Sequence, residues 1–410
     1  MKVTTIDLEG PPDPTRFVRE GGFLLQRGSQ FVAGIGSALT LEITLADPSS
    51  VSRATEVLVS LDSKELPPLA VGALPFDPQE VGRLVVPTLA VRCIDDRWYA
   101  LVCEDGLADD ERGRHSVLLE PTGRDPDLAW TAAPSNTVGP TEFVITPELP
   151  AEEWLESVRL TRESLSERCR KVVIGRTIRV RSDRPFSAPD VAARLRALAP
   201  GCTLYAVDGF VGATPELLLE RDGRLVRTMP LAGTAPSAKD FGEDPTAAAL
   251  LGSAKDREEH RITIEAVHQR LLHFCSWVDE QVEPTVTKAG PALHLGTLLS
   301  GRLSDPPATA LQILSSLHPT PAVCGDPRQE AAAIIRRVER SARGPFGGPV
   351  GWVDAEGDGS WWVGIRGAVL RDREAIVWAG VGIVRASDPW SELEETRLKM
   401  RPVISALVRP

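Results

Sequence analysis

Between positions 348 and 384 the chain reads GPVGWVDAEGDGSWWVGIRGAVLRDREAIVWAGVGIV. The stretch is β-branched, aromatic and punctuated by glycine, and it leaves no uninterrupted run for a helix. Strands joined by turns this short must pair antiparallel, because a parallel partner needs a crossover of a dozen residues or more. Earlier segments read the same way. RFVREGGFLLQRGSQFVAGIG has two apolar runs split by Arg27-Gly28, and RLVVPTLAVRCIDDRWYALVC gives two more strand-like runs. CTLYAVDGFVGATPELLLERDGRLVRTMPLAGTAP reads as three strands with turns at Asp208-Gly209 and Asp222-Gly223. Helical patterns come in separate blocks. One follows the short strand of TEFVITP, one is DPTAAALLGSAKDREEHRITIEAVHQRLLHFCSWV, and one is PRQEAAAIIRRVERSA. The last starts at Ser387 or Asp388, with Pro389 in its first turn. Blocks without strict βαβ alternation indicate an α+β architecture on antiparallel sheets.

Composition narrows the function. The 410 residues are 42% apolar and 25% charged, enough for a sizeable core in a soluble globular protein. A net charge of −11 and a pI near 5.2 argue against unspecific nucleic-acid binding. An anionic small substrate would need a local basic pocket or a bridging cation. Cys93, Cys103, Cys169, Cys202, Cys275 and Cys324 show no CxxC pairing and read as buried thiols in a reducing compartment. The N-terminus lacks the apolar core of a signal peptide, and no apolar run reaches a membrane span, so the expectation is a cytoplasmic protein without membrane contact. The motifs GxGxxG after a strand, GxxxxGK[ST] and HExxH are missing. Nothing in the sequence fixes the oligomeric state, and a monomer is compatible with it.

Two acidic helices hold the candidate chemistry. In SDPWSELEETRLKM, Glu392, Glu395 and Lys399 share a helical face, and Glu394 points elsewhere. In SAKDREEHRITIEAVHQRLLHF, Glu258, Glu259 and His260 precede an apolar stripe. One carboxylate from each helix would suit Mg²⁺, a hard cation that takes oxygen ligands and keeps room for substrate oxygens. Spacing alone leaves the other reading open: two solvated faces.

Seven segments occur together in one order: TPELLLERDGRLVRTMPLAGTAP, KDREEH, LHPTPAVCG, GGPVGWVDAEGDG, VGIRGAVL, WAGVGIV and SELEETRLKMRP. Together they resemble the chorismate-utilising enzymes, which include isochorismate synthase, salicylate synthase and the large components of anthranilate and aminodeoxychorismate synthase. The resemblance runs from about Lys171 to the C-terminus and looks nearest to the isochorismate synthases. It implies a single large domain with two antiparallel sheets flanked by helices. Residues 1–140 would be its strand-rich N-terminal part and residues 141–410 its chorismate-binding catalytic part. The proline-rich stretch 119–140 is the linker candidate. The resemblance also implies roles: Lys171 as general base, Glu216 as general acid, and Glu259 and Glu395 as Mg²⁺ ligands backed by Glu392. Gly233, Thr234, His294, Ala322, Arg366, Gly380 and Lys399 would contact the substrate, while His318 would be structural. By residue type alone, without the resemblance, Lys171 reads as an edge-strand solubiliser and Glu216 as a turn-proximal surface carboxylate.

The implied activity is the reversible conversion of chorismate to isochorismate, by adding water at C2 and losing the C4 hydroxyl. Water is a poor nucleophile and hydroxide a poor leaving group, so a base and an acid must flank the reacting diene. Ala232 stands where some aminodeoxychorismate synthases carry a nucleophilic lysine, and Phe346 where salicylate synthases often carry tyrosine. A salicylate synthase, an ammonia-using synthase and a non-catalytic chorismate-binding paralogue or subunit are the alternatives. Three departures from the family's pattern bear on substrate fit: Val381 between Gly380 and Gly382, Cys324 after PAV, and the absence of an EPFDR-like run at 339–343.

Overall fold

A computed structural model describes residues 1–63, 65–103, 115–123, 125–131, 139–238 and 245–408. The hairpins form where the turn residues place them. Phe23–Arg27 pairs with Gln30–Ile35 around Gly28, which has a φ of 60°. Thr203–Val207 and Phe210–Thr214 close on Asp208 and Gly209, with φ of 49° and 78°. That is the two-residue turn an Asp-Gly pair favours.

Proline subdivides what the sequence pattern suggested were longer strands. Between 203 and 236 there are five strands and not three, because Pro215 and Pro230 interrupt the ladder. Between 82 and 103 there are three and not two: Gly82–Val86, Leu89–Ile94 and Arg97–Cys103. Pro87 and a turn at Asp95 and Asp96, both with positive φ, make the breaks. The helical run after 244 is two helices, Pro245–Gly252 and Ala254–Leu271. Ser253 caps the second by accepting from Asp256 N.

Among the described residues the strands form a 13-stranded sheet, a nine-stranded sheet and a separate three-stranded sheet. The large sheets are antiparallel apart from one edge pairing, Lys2–Leu8 with Asp62–Ser63. They face each other over one core, to which the first contributes Phe23, Leu25, Tyr205 and Phe210 and the second Leu69, Val71, Leu219 and Trp361. The outer face of the 13-stranded sheet is covered by the helices Ala188–Leu198 and Pro389–Val408, through Val191, Leu195, Met400, Val403 and Leu407. This is the expected α+β arrangement of two antiparallel sheets flanked by helices. Strands from before residue 104 and after residue 139 share both large sheets. Part of the stretch 119–140 lies outside the described residues. Within it Trp130 is buried, and its indole N–H donates to Gln26 Oε1 at 2.7 Å. No helix among the described residues is long and apolar enough to cross a membrane.

One strand organises the functional region. Lys171–Ser182 pairs along its length with Glu374–Ile383, and at its start with Gly325–Asp326. The helix Ala151–Glu163 packs on this strand through Trp154, which is 1% exposed and whose indole N–H donates to Gly175 O at 3.4 Å. Truncating a fully buried tryptophan typically costs about 3–5 kcal/mol. Trp154→Ala should therefore lower the urea midpoint clearly, and equilibrium unfolding followed by circular dichroism checks it.

Candidate active site

Lys171 opens its strand with a side chain that is 0% exposed. An ammonium removed from water needs a partner. It finds Glu259 Oε1 at 3.0 Å and the Thr263 hydroxyl at 3.2 Å, one turn apart on the helix Ala254–Leu271. Room for this pair comes from Gly382 on the neighbouring strand. A Cβ there would collide with Glu259 Oε1 and stand 2.9 Å from Lys171 Cε.

Beside the pair lies a pocket with about 680 Å³ of empty volume, part of it open to solvent. Glu216, Gly233, Thr234, Glu259, His294, Ala322, Arg366, Gly380 and Lys399 line it, with Phe346 and Trp378 stacked at 5.8 Å between centroids. Lys171 itself stands behind the lining, next to Glu259. Glu216 is 3% exposed. Burial pushes its carboxyl up to about 8, against the opposing pull of a Leu231 backbone hydrogen bond and the charges of Lys171 and Lys399. It is therefore protonated at neutral pH and able to donate a proton.

The cationic side is built around Arg366, whose φ of 56° is unusual for a non-glycine residue. Burial pulls its guanidinium down to about 10, still charged at neutral pH. One Nη2 donates to His294 Nε2 at 2.7 Å, and Nη1 to the Lys399 carbonyl at 3.3 Å. His294 Nδ1 lies 3.1 Å from Gly233 O, so it carries the ring proton and donates it there. Burial, then Arg366 and Lys399, hold His294 well below its usual range, and the ring is neutral. His294 thus lines the pocket and also orients Arg366. His318 is buried, its Nε2 donates to Phe76 O at 2.9 Å, and it stays out of the pocket.

Three carboxylates, Glu259, Glu392 and Glu395, gather around Lys255. Lys399 bonds Glu395 at 2.6 Å and Gly380 O at 2.9 Å, and Lys255 bonds the buried Glu392 at 2.6 Å. Burial pulls the Lys255 ammonium down, but the charges of Glu392, Glu395 and Glu259 outweigh it and hold the group above its usual range. Burial, then the Glu395 charge, lifts Glu392 to about 7. A cation is thus wanted where these groups meet, and Lys255 stands in for one. Among the described residues no three metal-ligating side chains form a ready cage. Mg²⁺ is often held by one or two carboxylates and takes its other oxygens from water and substrate. Glu394 is apart from all this, exposed and paired with Arg397.

A family model described as chorismate binding enzyme matches residues 20–408. The chain belongs to the chorismate-binding enzymes. It is 34% identical to isochorismate synthase DhbC of Bacillus subtilis over 352 residues, covering 83% of this chain and 81% of that protein. It is 32% identical to isochorismate synthase EntC of Escherichia coli over 344 residues, covering 82% and 81%. The solved DhbC structure from Bacillus anthracis superposes with a TM-score of 0.78 at 27% identity, covering 95% of this chain and 97% of that one.

The departures from this family's pattern leave the pocket intact. Val381 is buried in the core and is not part of the lining, because alternation along the strand turns it away from the face of Gly380 and Gly382. Cys324 is likewise buried outside the pocket lining. The run at 339–343 keeps both ends of the EPFDR pattern: Glu339 and Arg343 form an ion pair at 2.5 Å. Sequence reasoning missed Lys255, Gly382 and Arg343. Lys255 and Glu259 sit i,i+4 on one helix, a spacing that could have flagged Lys255; Glu339 and Arg343 lie beyond the helix Arg328–Val338, so no helical spacing announces their pairing.

The elevated Glu216 carboxyl makes a pH prediction. With Glu216 as the proton donor, kcat should fall as pH rises through about 8. A kcat profile that stays flat across that range would remove Glu216 from the proton transfer.

Proposed function

We propose that this chain is an isochorismate synthase, an isomerase that interconverts chorismate and isochorismate. The observation that carries the reading is a buried, protonated Glu216 in the same pocket as Glu259, which holds the buried Lys171. In the forward direction Lys171 acts in its neutral form, reached when its ammonium gives up a proton to solvent, and takes a proton from water as the water oxygen bonds to C2. The ring double bonds move from C1=C2 and C5=C6 to C1=C6 and C4=C5. The C4–O bond breaks, and Glu216 gives its proton to the departing hydroxyl, which leaves as water. One water enters and one leaves, and proton exchange with solvent resets both side chains. Arg366 and Lys399 are the cations for the substrate's carboxylates, Arg366 by the planar fork that suits a carboxylate. Gly233, Thr234 and Gly380 shape the backbone around them, and Ala322 borders the ring.

Glu259 and Glu395 are the residues we assign to Mg²⁺, which when bound would neutralise the ring carboxylate and offset the charge of a dianionic substrate. The pocket offers no lysine at Ala232 for an amine nucleophile. The product is expected to serve either menaquinone or siderophore synthesis, inside the cytoplasm.

Incubation with chorismate and Mg²⁺, followed by chromatography, should yield isochorismate without stoichiometric pyruvate; pyruvate release would indicate a salicylate synthase. Lys171→Ala should lower turnover by about 10²–10⁴ while chorismate still binds. Glu259→Gln and Glu395→Gln should each raise the Mg²⁺ concentration needed for half-maximal activity, and Glu394→Gln should leave it unchanged. Normal turnover in the presence of excess EDTA would refute the metal assignment.

A further inference from the structure

Behind Phe346 the pocket wall holds a buried ion pair that the chemistry above does not use. Arg343 is 5% exposed. Its Nε donates to Glu339 Oε2 at 2.9 Å and its Nη2 to Oε1 at 2.5 Å. The guanidinium also reaches two main-chain carbonyls, Nη1 to Val323 O and Nη2 to Val173 O, each at 2.7 Å. Glu339 Oε1 accepts in addition from Gly175 N at 2.6 Å. The Phe76 ring centroid lies 4.1 Å from the guanidinium carbon and the Phe346 centroid 5.8 Å from it.

These partners belong to three separate segments of the pocket. Val173 and Gly175 are on the strand that begins with Lys171, Val323 follows Ala322, and Phe346 stacks on Trp378. Val173, Val323, Phe346 and Arg343 all line the pocket. Arg343 and Trp378 also border a second cleft on their other side, with about 1700 Å³ of empty volume partly open to solvent. The guanidinium is therefore part of the partition between the two spaces. A buried ion pair is by itself weak evidence of a stabilising role, since apolar replacements often serve as well. This one spends its donors on joining three walls, which a planar fork can do and a single ammonium cannot.

We propose that Arg343, anchored by Glu339, is a positioning residue for the chorismate reaction, fixing the wall of Val173, Val323 and Phe346 relative to Lys171 and closing the pocket from the cleft behind. The proposal rests on the isochorismate synthase reading. A displacement of about 1 Å in a reacting geometry can cost on the order of 10²-fold in rate, so modest loosening of this wall should be visible in kcat.

The test compares Arg343→Lys and Glu339→Gln with wild type, each checked for cooperative thermal unfolding. It measures kcat, KM for chorismate and the Mg²⁺ concentration for half-maximal activity. For Arg343→Lys, kcat should fall about 10- to 100-fold, with the Mg²⁺ midpoint held, because Arg343 and Glu339 bond neither of the helices that carry Glu259 and Glu395. Glu339→Gln should lose less, in the same direction, and it carries the test if Arg343→Lys fails to fold. Wild-type kcat and KM in a folded variant would overturn the proposal. So would a parallel loss of rate and Mg²⁺ affinity, which is the mark of general loosening. Wild-type protein that leaves chorismate unchanged would instead sink the functional reading on which the proposal stands.

Discussion

The buried ammonium of Lys171 is the constraint on which the functional region depends. An unpaired charge in a protein interior carries a penalty of several kcal/mol, and removing one partner of a buried pair commonly costs about 3–5 kcal/mol. Glu259 at 3.0 Å and Thr263 at 3.2 Å meet that requirement. Their helix, Ala254–Leu271, is thereby tied to the start of the strand Lys171–Ser182. Gly382 follows from the same need, since a Cβ there would push Glu259 and Lys171 out of their present contact. The pocket, the acidic cluster and the neighbouring glycine-rich strand all take their places around this one pair.

Charge is then interleaved around the pocket. Arg366, Lys399 and the neutral His294 border it, while Glu395 holds Lys399 and Glu392 holds Lys255 beside them. This is how a chain with a net charge of −11 can receive an anionic ligand. The local field at the pocket, and not the overall sign, decides binding. Glu216 completes the pattern, because burial keeps it neutral and adds no negative charge where the substrate would sit.

Much of this was legible in the sequence, for identifiable reasons. Asp208-Gly209 announced its hairpin because few residue pairs accept positive φ so readily; the next hairpin turns one residue later, on Gly223-Arg224, with Asp222 still paired to Leu225. The α+β class followed from strands in blocks. The proline breaks at 87, 215 and 230 were legible too, but a run of β-branched residues outweighed them. What no local pattern reveals is which distant segments meet. The union of Lys171 with Glu259, and of Arg343 with Val173 and Val323, depends on sheet order and helix packing. Val381 looked like an obstruction because its neighbours are glycines; strand alternation, applied to that segment, would have placed it in the core. The run at 339–343 looked degenerate because its middle had changed, while its two charged ends still pair.

The central claim is that Lys171 activates a water molecule for attack at C2 while Glu216 releases the C4 oxygen. The most direct test is to run the reaction in water enriched in oxygen-18 and locate the label in the product by mass spectrometry. The account predicts isochorismate carrying one solvent oxygen, at C2, from the first turnover. Product whose C2 oxygen is unlabelled, having been carried over from C4, would contradict it.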